Sequence, residues 1–387
     1  AQRSEQAAHN CLVHGSNPCA PNFPAARKNG PGQAVLLVRQ RPGLLTLAMT
    51  LSLRFFARFG FLFLATAFLV AGLVLAWFTS WRADKDALLQ AASEVAETAA
   101  GKVEFLTRGD GPSVLVFHGA PGGYDQAALL GAALEDSGFR VIAPSRPGYL
   151  RTPLATGILP EQQADAMAAL LNAIGAPAVA VLGVSSGAPA AIEFVLRHPD
   201  RVWALVLVSA VTKKIEPASP DPGAVVLKRL TGDVGSWICV ELAERDPGRM
   251  LDLVLAEESL GDPAQRGQVA AEVLGNRAQQ EWFQGLLGTF APLSPRETGT
   301  RNDILQNRNL GKFPLERIQT PVLIVHGSLD RLVPMADAVA AAGRMPTATL
   351  VTVEGAGHLT QLGPRAGETQ KRITEFLRQY SGGQSQP

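Results

Sequence analysis

Cysteine is scarce in this chain. Cys11, Cys19 and Cys239 are three among 387 residues, too few for a disulfide framework at this length. Cys11 and Cys19 can pair with each other or share a metal with His9 and His14, although their spacing matches no zinc pattern. Cys239 lies in the apolar stretch SWICVEL and reads as a small buried hydrophobe. A surplus of either charge is also missing, since the formal net charge is +1. That balance gives no electrostatic footprint for nucleic acid, and no such partner is expected. Apolar residues are plentiful at 47%. The length suits one large α/β domain with insertions, or two small domains.

Residues 1–48 mix Pro, Gly, Ala, Arg and Asn without a sustained period and are expected to be disordered. Met49 opens MTLSLRFFARFGFLFLATAFLVAGLVLAWF in the manner of a natural N-terminus, so 1–48 read as an extension absent from the mature protein. Phe59 to Phe78 carries no charge. About 20 helical residues at roughly 1.5 Å each cover a hydrocarbon core of about 30 Å. Residues 55–80 therefore read as a transmembrane signal-anchor helix, with 59–78 in the membrane and Trp77 and Trp81 at one interface. Arg54 and Arg58 flank one end and WRADKD the other. The positive-inside rule then puts the N-terminus in the cytoplasm and the remaining chain outside it. A cleaved signal peptide, cut after Val74-Leu75-Ala76 to release a secreted protein, is the alternative; the apolar run is long for one. Residues 81–93 read as a stalk.

From residue 94 the pattern turns regular. KVEFLTRG alternates as a half-buried strand does, and SVLVFHG is a wholly apolar run suited to a buried parallel strand. The helix YDQAALLGAALEDSG ends at Gly138. FRVIAPS, the helix EQQADAMAALLNAIG ending at Gly175, AVAVLG, the helix SGAPAAIEFVLRHPD and RVWALVLVSA follow. PVLIVHG, DAVAAAGRM, ATLVTVEG and a last helix, RAGETQKRITEFLRQY, come after a long gap. Strands alternating with helices predict a mostly parallel sheet covered on both faces. Ligands bind such sheets at the carboxyl ends of the strands, which directs attention to HGAPGG, SRPGY, GVSSG, SLDRLVP and GAGH.

In GVSSG a strand turns at once into a helix. The residue at the tip of such an elbow has a strained backbone, and its neighbours two before and two after must be small. Gly183 and Gly187 meet that demand around Ser185, whereas Ser186 would have the bulky Val184 at one of these places. Ser185 is therefore the candidate nucleophile, and the backbone N–H of Ser186 opens the helix toward a developing anion. A serine needs a base. Of the six histidines, His9 and His14 lie in the irregular N-terminal stretch, and His198 sits at a helix end. His118 and His326 each end a strand before Gly and read as structural. His358, in a glycine-flanked loop after the last strand, is the candidate base. Asp330, directly after PVLIV, is the candidate acid that orients it. The second oxyanion donor is expected at the N–H of Ala120 in HGAPGG.

Together, HGAPGG, GVSSG, GSLDRLVP and GAGH resemble the α/β-hydrolase superfamily, in the branch with an HG-x-PG oxyanion loop. The resemblance covers residues 94–380, including the chain order Ser185, Asp330, His358. SRPGYLRTP is similar to the loop after the fourth strand in that family, with Ser145 where an acidic residue is common. The resemblance implies a serine hydrolase that cleaves an ester, amide, thioester or C–C bond of a small or apolar acyl substrate through an acyl-enzyme, without metal or organic cofactor. A dehalogenase would place Asp at 185. A prolyl iminopeptidase usually carries Trp beside the serine, where this chain has Val184 and Ser186.

About 110 residues separate Ala210 from Thr320, where a crossover needs about a dozen. Residues 211–319 read as a helical lid between core segments 94–210 and 320–382, with breakers at Pro247, Pro263, Pro292 and Pro295. Trp237, Trp282, Phe283 and Phe290 are candidates to line an acyl pocket, or else lid core. Gly119 and Tyr124 beside the oxyanion loop, with Trp282 and Phe283, are expected to touch substrate. Arg301-Asn302-Asp303 is placed at the site mouth or in a solvated loop. The competing class is a non-catalytic binding or signalling member of the fold, which would typically lack one of these elements.

Overall fold

The computed structural model describes residues 42–215, 232–259 and 261–381. The expectations for Cys11, Cys19, His9 and His14 fall outside these residues. The chain divides into two units, residues 1–69 and 70–387. One helix, α1 (Pro42–Ala91), supplies the described part of the first unit and opens the second. It takes in the expected anchor, residues 81–91 of the expected stalk and residues assigned to the irregular extension. No Gly or Pro interrupts the chain between Gly72 and Gly101, so nothing ends the helix where the apolar run does. Among the described residues it is the one helix long and apolar enough to cross a membrane, over Met49–Ala91.

In the second unit, eight strands form one sheet in the order β1-β2-β4-β3-β5-β6-β7-β8. β1 (Glu94–Thr98) and β2 (Gly101–Arg108) make an antiparallel hairpin, and β2 also runs antiparallel to β4 (Arg140–Pro144). β3 (Ser113–Phe117), β4, β5 (Val179–Val184), β6 (Val202–Val208), β7 (Val322–Gly327) and β8 (Ala348–Val353) are parallel. Alternate residues of a strand face opposite sides, and the apolar runs serve two cores. Leu115, Val181, Leu205 and Ile324 pack on one face with helices α3 (Pro160–Ala173) and α4 (Ala188–Arg197). Val116, Leu182, Val206 and Leu323 pack on the other with α2 (Tyr124–Glu135) and α11 (Ala366–Ser381). Helix α10 (Met335–Ala342) joins the first face through Ala338 and Ala341.

A helical insertion separates β6 from β7. It contains α5 (Gly232–Arg245), α6 (Pro247–Glu258), α7 (Pro263–Gly275), α8 (Arg277–Gly288) and α9 (Ser294–Asn309). Pro247, Pro263 and Pro295 stand in the first turns of helices, where a missing N–H costs nothing, so these breakers start helices. Asp246, Asp262 and Asn276 cap α6, α7 and α8 by accepting backbone N–H bonds. Met250, Leu251, Leu255, Val273, Phe283 and Leu287 form the insertion's own core. Trp237 of α5 packs edge-on against Trp77, with ring centroids 4.9 Å apart, and also meets Phe78 and Trp81. Arg82 Nε donates to Asp233 at 2.9 Å. The Trp77 and Trp81 rings, read from sequence as interfacial, thus pack on α5.

Candidate active site

The end of β5 explains the small residues of GVSSG. Ser185 has φ +50°, a left-handed conformation that a non-glycine residue holds only when its surroundings enforce it. A Cβ on Gly183 would stand 2.7 Å from Ala191 Cβ, and one on Gly187 would run into the carbonyl oxygens of Phe117 and His118. Both glycines let α4 start against β3 with Ser185 at the tip.

Ser185 Oγ donates to His358 Nε2 at 2.9 Å, and His358 Nδ1 donates to Asp330 Oδ2 at 2.8 Å. Asp330 is 2% exposed. Its Oδ1 accepts the N–H groups of Leu332 and Val333 at 2.8 and 2.9 Å. Burial favours the neutral acid, but His358, the hydrogen bonds from His326 and His358 and the Val333 N–H outweigh it. The Asp330 pKa falls well below the usual carboxylate range. For His358, burial opposes protonation and the Asp330 carboxylate overcomes it, raising the imidazole pKa above its usual 6.5. This is the electrostatic arrangement a general base needs.

His118 and His326 stand apart from this chain of bonds. His118 donates from Nδ1 to Gly119 O at 2.7 Å, and its Nε2 accepts Arg146 N–H at 3.0 Å. Burial, then Arg146, holds its pKa well below 6.5, so a neutral ring ties the HGAPGG loop to SRPGY. His326 Nε2 donates to Val333 O at 2.9 Å and lies 3.3 Å from Asp330 Oδ2, bracing the Asp330 loop. His198 ends α4 and meets Asp165 at 2.9 Å.

The serine opens into an apolar cavity of about 300 Å³, lined by Gly119, Ala120, Val184, Met250, Trp282 and Phe290 among others. Cys239 also lines it, half-buried, with its thiol pKa pushed up by burial. Three of the candidate residues lie elsewhere. Tyr124 is buried, with its hydroxyl donating to Leu89 O at 2.8 Å and its N–H to Ser145 Oγ at 3.0 Å. Phe283 faces the core of the insertion, because the apolar stripe of α8 points there. Trp237 faces α1. The Arg301–Asp303 segment is not at the mouth either. Arg301 pairs with Glu297 on the surface at 2.5 Å, whereas Asp303 is buried, with both oxygens on the Arg146 guanidinium and Tyr149 OH donating to it at 2.6 Å.

Several site residues left no motif to find. Arg296, fully buried, donates to Gly122 O at 2.8 Å and forks onto Asp125 at 2.9 and 2.7 Å, bolting the HGAPGG loop to α9. Asn307 Nδ2 donates to Ser186 Oγ at 3.1 Å. Glu104 of β2 supplies a carboxylate where the SRPGY loop has Ser145, accepting its hydroxyl at 2.8 Å. Glu258 of α6 lines the cavity and accepts Leu359 N–H at 2.6 Å.

The family model for the alpha/beta hydrolase fold matches residues 112–363. Among solved structures, an alpha/beta hydrolase fold protein from Nakamurella multipartita is 31% identical, with a TM-score of 0.69, covering 75% of this chain and 100% of that one. An uncharacterized hydrolase of Bacillus subtilis is 28% identical over 283 residues, 72% of this chain and 95% of its own length. A pimeloyl-[acyl-carrier protein] methyl ester esterase of Aromatoleum aromaticum is 29% identical over 226 residues, 57% of this chain and 81% of its own.

Proposed function

This chain belongs to the α/β-hydrolase fold family and is a hydrolase; from that premise we propose that it is a serine hydrolase cleaving an ester of an apolar acyl group through an acyl-enzyme. The observation that carries this reading is the hydrogen-bonded series Ser185, His358, Asp330 opening on an apolar cavity. His358 Nε2 takes the Ser185 proton as Oγ attacks the acyl carbonyl. The N–H groups of Ala120 and Ser186 hold the oxyanion, and each is worth about 3 kcal/mol to the transition state. The imidazolium, balanced by Asp330, returns its proton to the leaving alkoxide. Water, deprotonated by His358, then releases the acid and restores the serine.

The esterase relative supports an ester as the bond cleaved. An uncharged acyl chain is favoured by the cavity, whose described lining includes Leu130, Ile238, Leu242 and Leu253, two carboxylates at Glu257 and Glu258, and no Lys or Arg. The insertion, α5 to α9, serves as the lid. Residues 59–78 anchor the protein in a membrane, with Arg54 and Arg58 on the cytoplasmic side and the catalytic unit on the other. A non-catalytic binding role has no specific observation in its favour.

The test is a chain-length series of p-nitrophenyl esters, butyrate to dodecanoate, with full-length protein in detergent. Turnover that rises from butyrate to a medium chain and disappears in Ser185→Ala fits the proposal. Turnover undiminished in Ser185→Ala contradicts it.

A further inference from the structure

Helix α6 of the insertion ends on the two loops that carry Asp330 and His358, and Glu258 makes the junction. Its Oε2 accepts Leu359 N–H at 2.6 Å. Its backbone carbonyl accepts Arg331 N–H at 3.0 Å and His358 N–H at 3.4 Å. The next residue, Ser259, pairs with Asp330 in an isolated antiparallel bridge. Gly357 closes the contact, since a Cβ there would stand 3.0 Å from Glu258 Oε1 and from Ser259 Cβ. Glu258 is only 4% exposed. Burying a carboxyl is costly, and a leucine would fill the same space without that cost.

We propose that Glu258 is a positioning residue for His358, clamping the Asp330 and His358 loops to the insertion and holding its carboxyl group against them. The proposal rests on the Ser185–His358–Asp330 reading of the site. The groups around Glu258 are His358 and Asp330 on the two loops, Arg331 beside Asp330, Glu257 on its own helix, and Arg266 of α7 across a small void. Burial pushes the Glu258 pKa up to about 7, against the Leu359 N–H and His358. The group therefore gains its charge across neutral pH, and that charge helps raise His358.

The experiment follows labelling of the full-length protein in detergent by a fluorophosphonate, measuring the saturating rate, the half-saturating concentration and the pH dependence. Glu258→Gln keeps an acceptor for Leu359 N–H without the charge. Its saturating rate falls less than that of Glu258→Leu, and its acid limb moves to lower pH. Glu258→Leu keeps the volume and orphans the N–H. Its saturating rate falls about tenfold or more while the half-saturating concentration holds. A wild-type rate in Glu258→Leu, or an acid limb in Glu258→Gln that overlays the wild type, overturns the proposal. Failure of the underlying reading looks different: wild-type Ser185 then takes no label at any pH.

Discussion

Replacing Asp330 by Asn tests the electrostatic centre of the site with one atom's change. Asn keeps a carbonyl oxygen for the Leu332 and Val333 N–H groups that Oδ1 now accepts at 2.8 and 2.9 Å. At Oδ2 the change is severe. That oxygen faces His358 Nδ1 at 2.8 Å and His326 Nε2 at 3.3 Å, and an amide NH2 there sets donors against donors. His326 keeps Val333 O at 2.9 Å, so His358 is the group that yields. Its proton shifts to Nε2, the nitrogen that must accept from Ser185, and the imidazolium loses its counter-charge. In other serine hydrolases this exchange costs about 10⁴-fold in rate, or about 5.5 kcal/mol of transition-state stabilisation. The assay is the fluorophosphonate labelling rate at pH 7, beside guanidinium unfolding to show that the variant folds. Because the folded-state pKa of Asp330 lies below its unfolded value, its stabilising contribution is present at neutral pH and fades as pH falls toward the folded-state pKa. The Asn variant should lack that slope. A folded Asp330→Asn protein labelled within about tenfold of the wild-type rate would show that Asp330 does not set the state of His358.

Gly187→Ala should fold poorly or lose at least about 100-fold in labelling rate, because its Cβ drives into the carbonyls of Phe117 and His118 and displaces the oxyanion loop; melting temperature and labelling rate check this. Ser186→Ala should cost about 1 kcal/mol of stability, through loss of its bond from Asn307, and keep activity within a few-fold, since its N–H remains. The wild-type kcat/KM on the p-nitrophenyl ester turned over best should fall as pH drops through a midpoint above 6.5, the direction in which Asp330 shifts His358. Full-length protein made with its helix intact should float with liposomes in a density gradient and resist extraction by carbonate if residues 59–78 are the membrane anchor proposed above.

The sequence made the sheet and the elbow legible because their causes are local. Apolar runs of five to seven residues specify strands such as β3 and β6, and small residues on both sides of Ser185 specify a turn with one geometry. The His358 and Asp330 assignments followed from position after a strand. Arg296, Asn307, Glu104 and Glu258 were invisible because each acts across the chain. Arg296 lies 171 residues from Asp125, and nothing near either residue marks the partner. The aromatic residues of the insertion stayed undecided between pocket and lid core for a related reason. Trp237, Trp282 and Phe283 are equivalent as composition, and only helix packing decides that Trp282 meets the cavity while Phe283 meets the core and Trp237 meets α1. The long helix outran its expected ends because an Ala- and Leu-rich stretch with no breaker continues a helix as readily outside a membrane as within one.

Whether Ser185 is a nucleophile activated by His358 is decided by mass mapping of a fluorophosphonate adduct. An activated Ser185 gives one adduct per chain, on Ser185, absent from His358→Ala protein that remains folded. An adduct on another residue, or equal labelling in the His358→Ala variant, would contradict that activation.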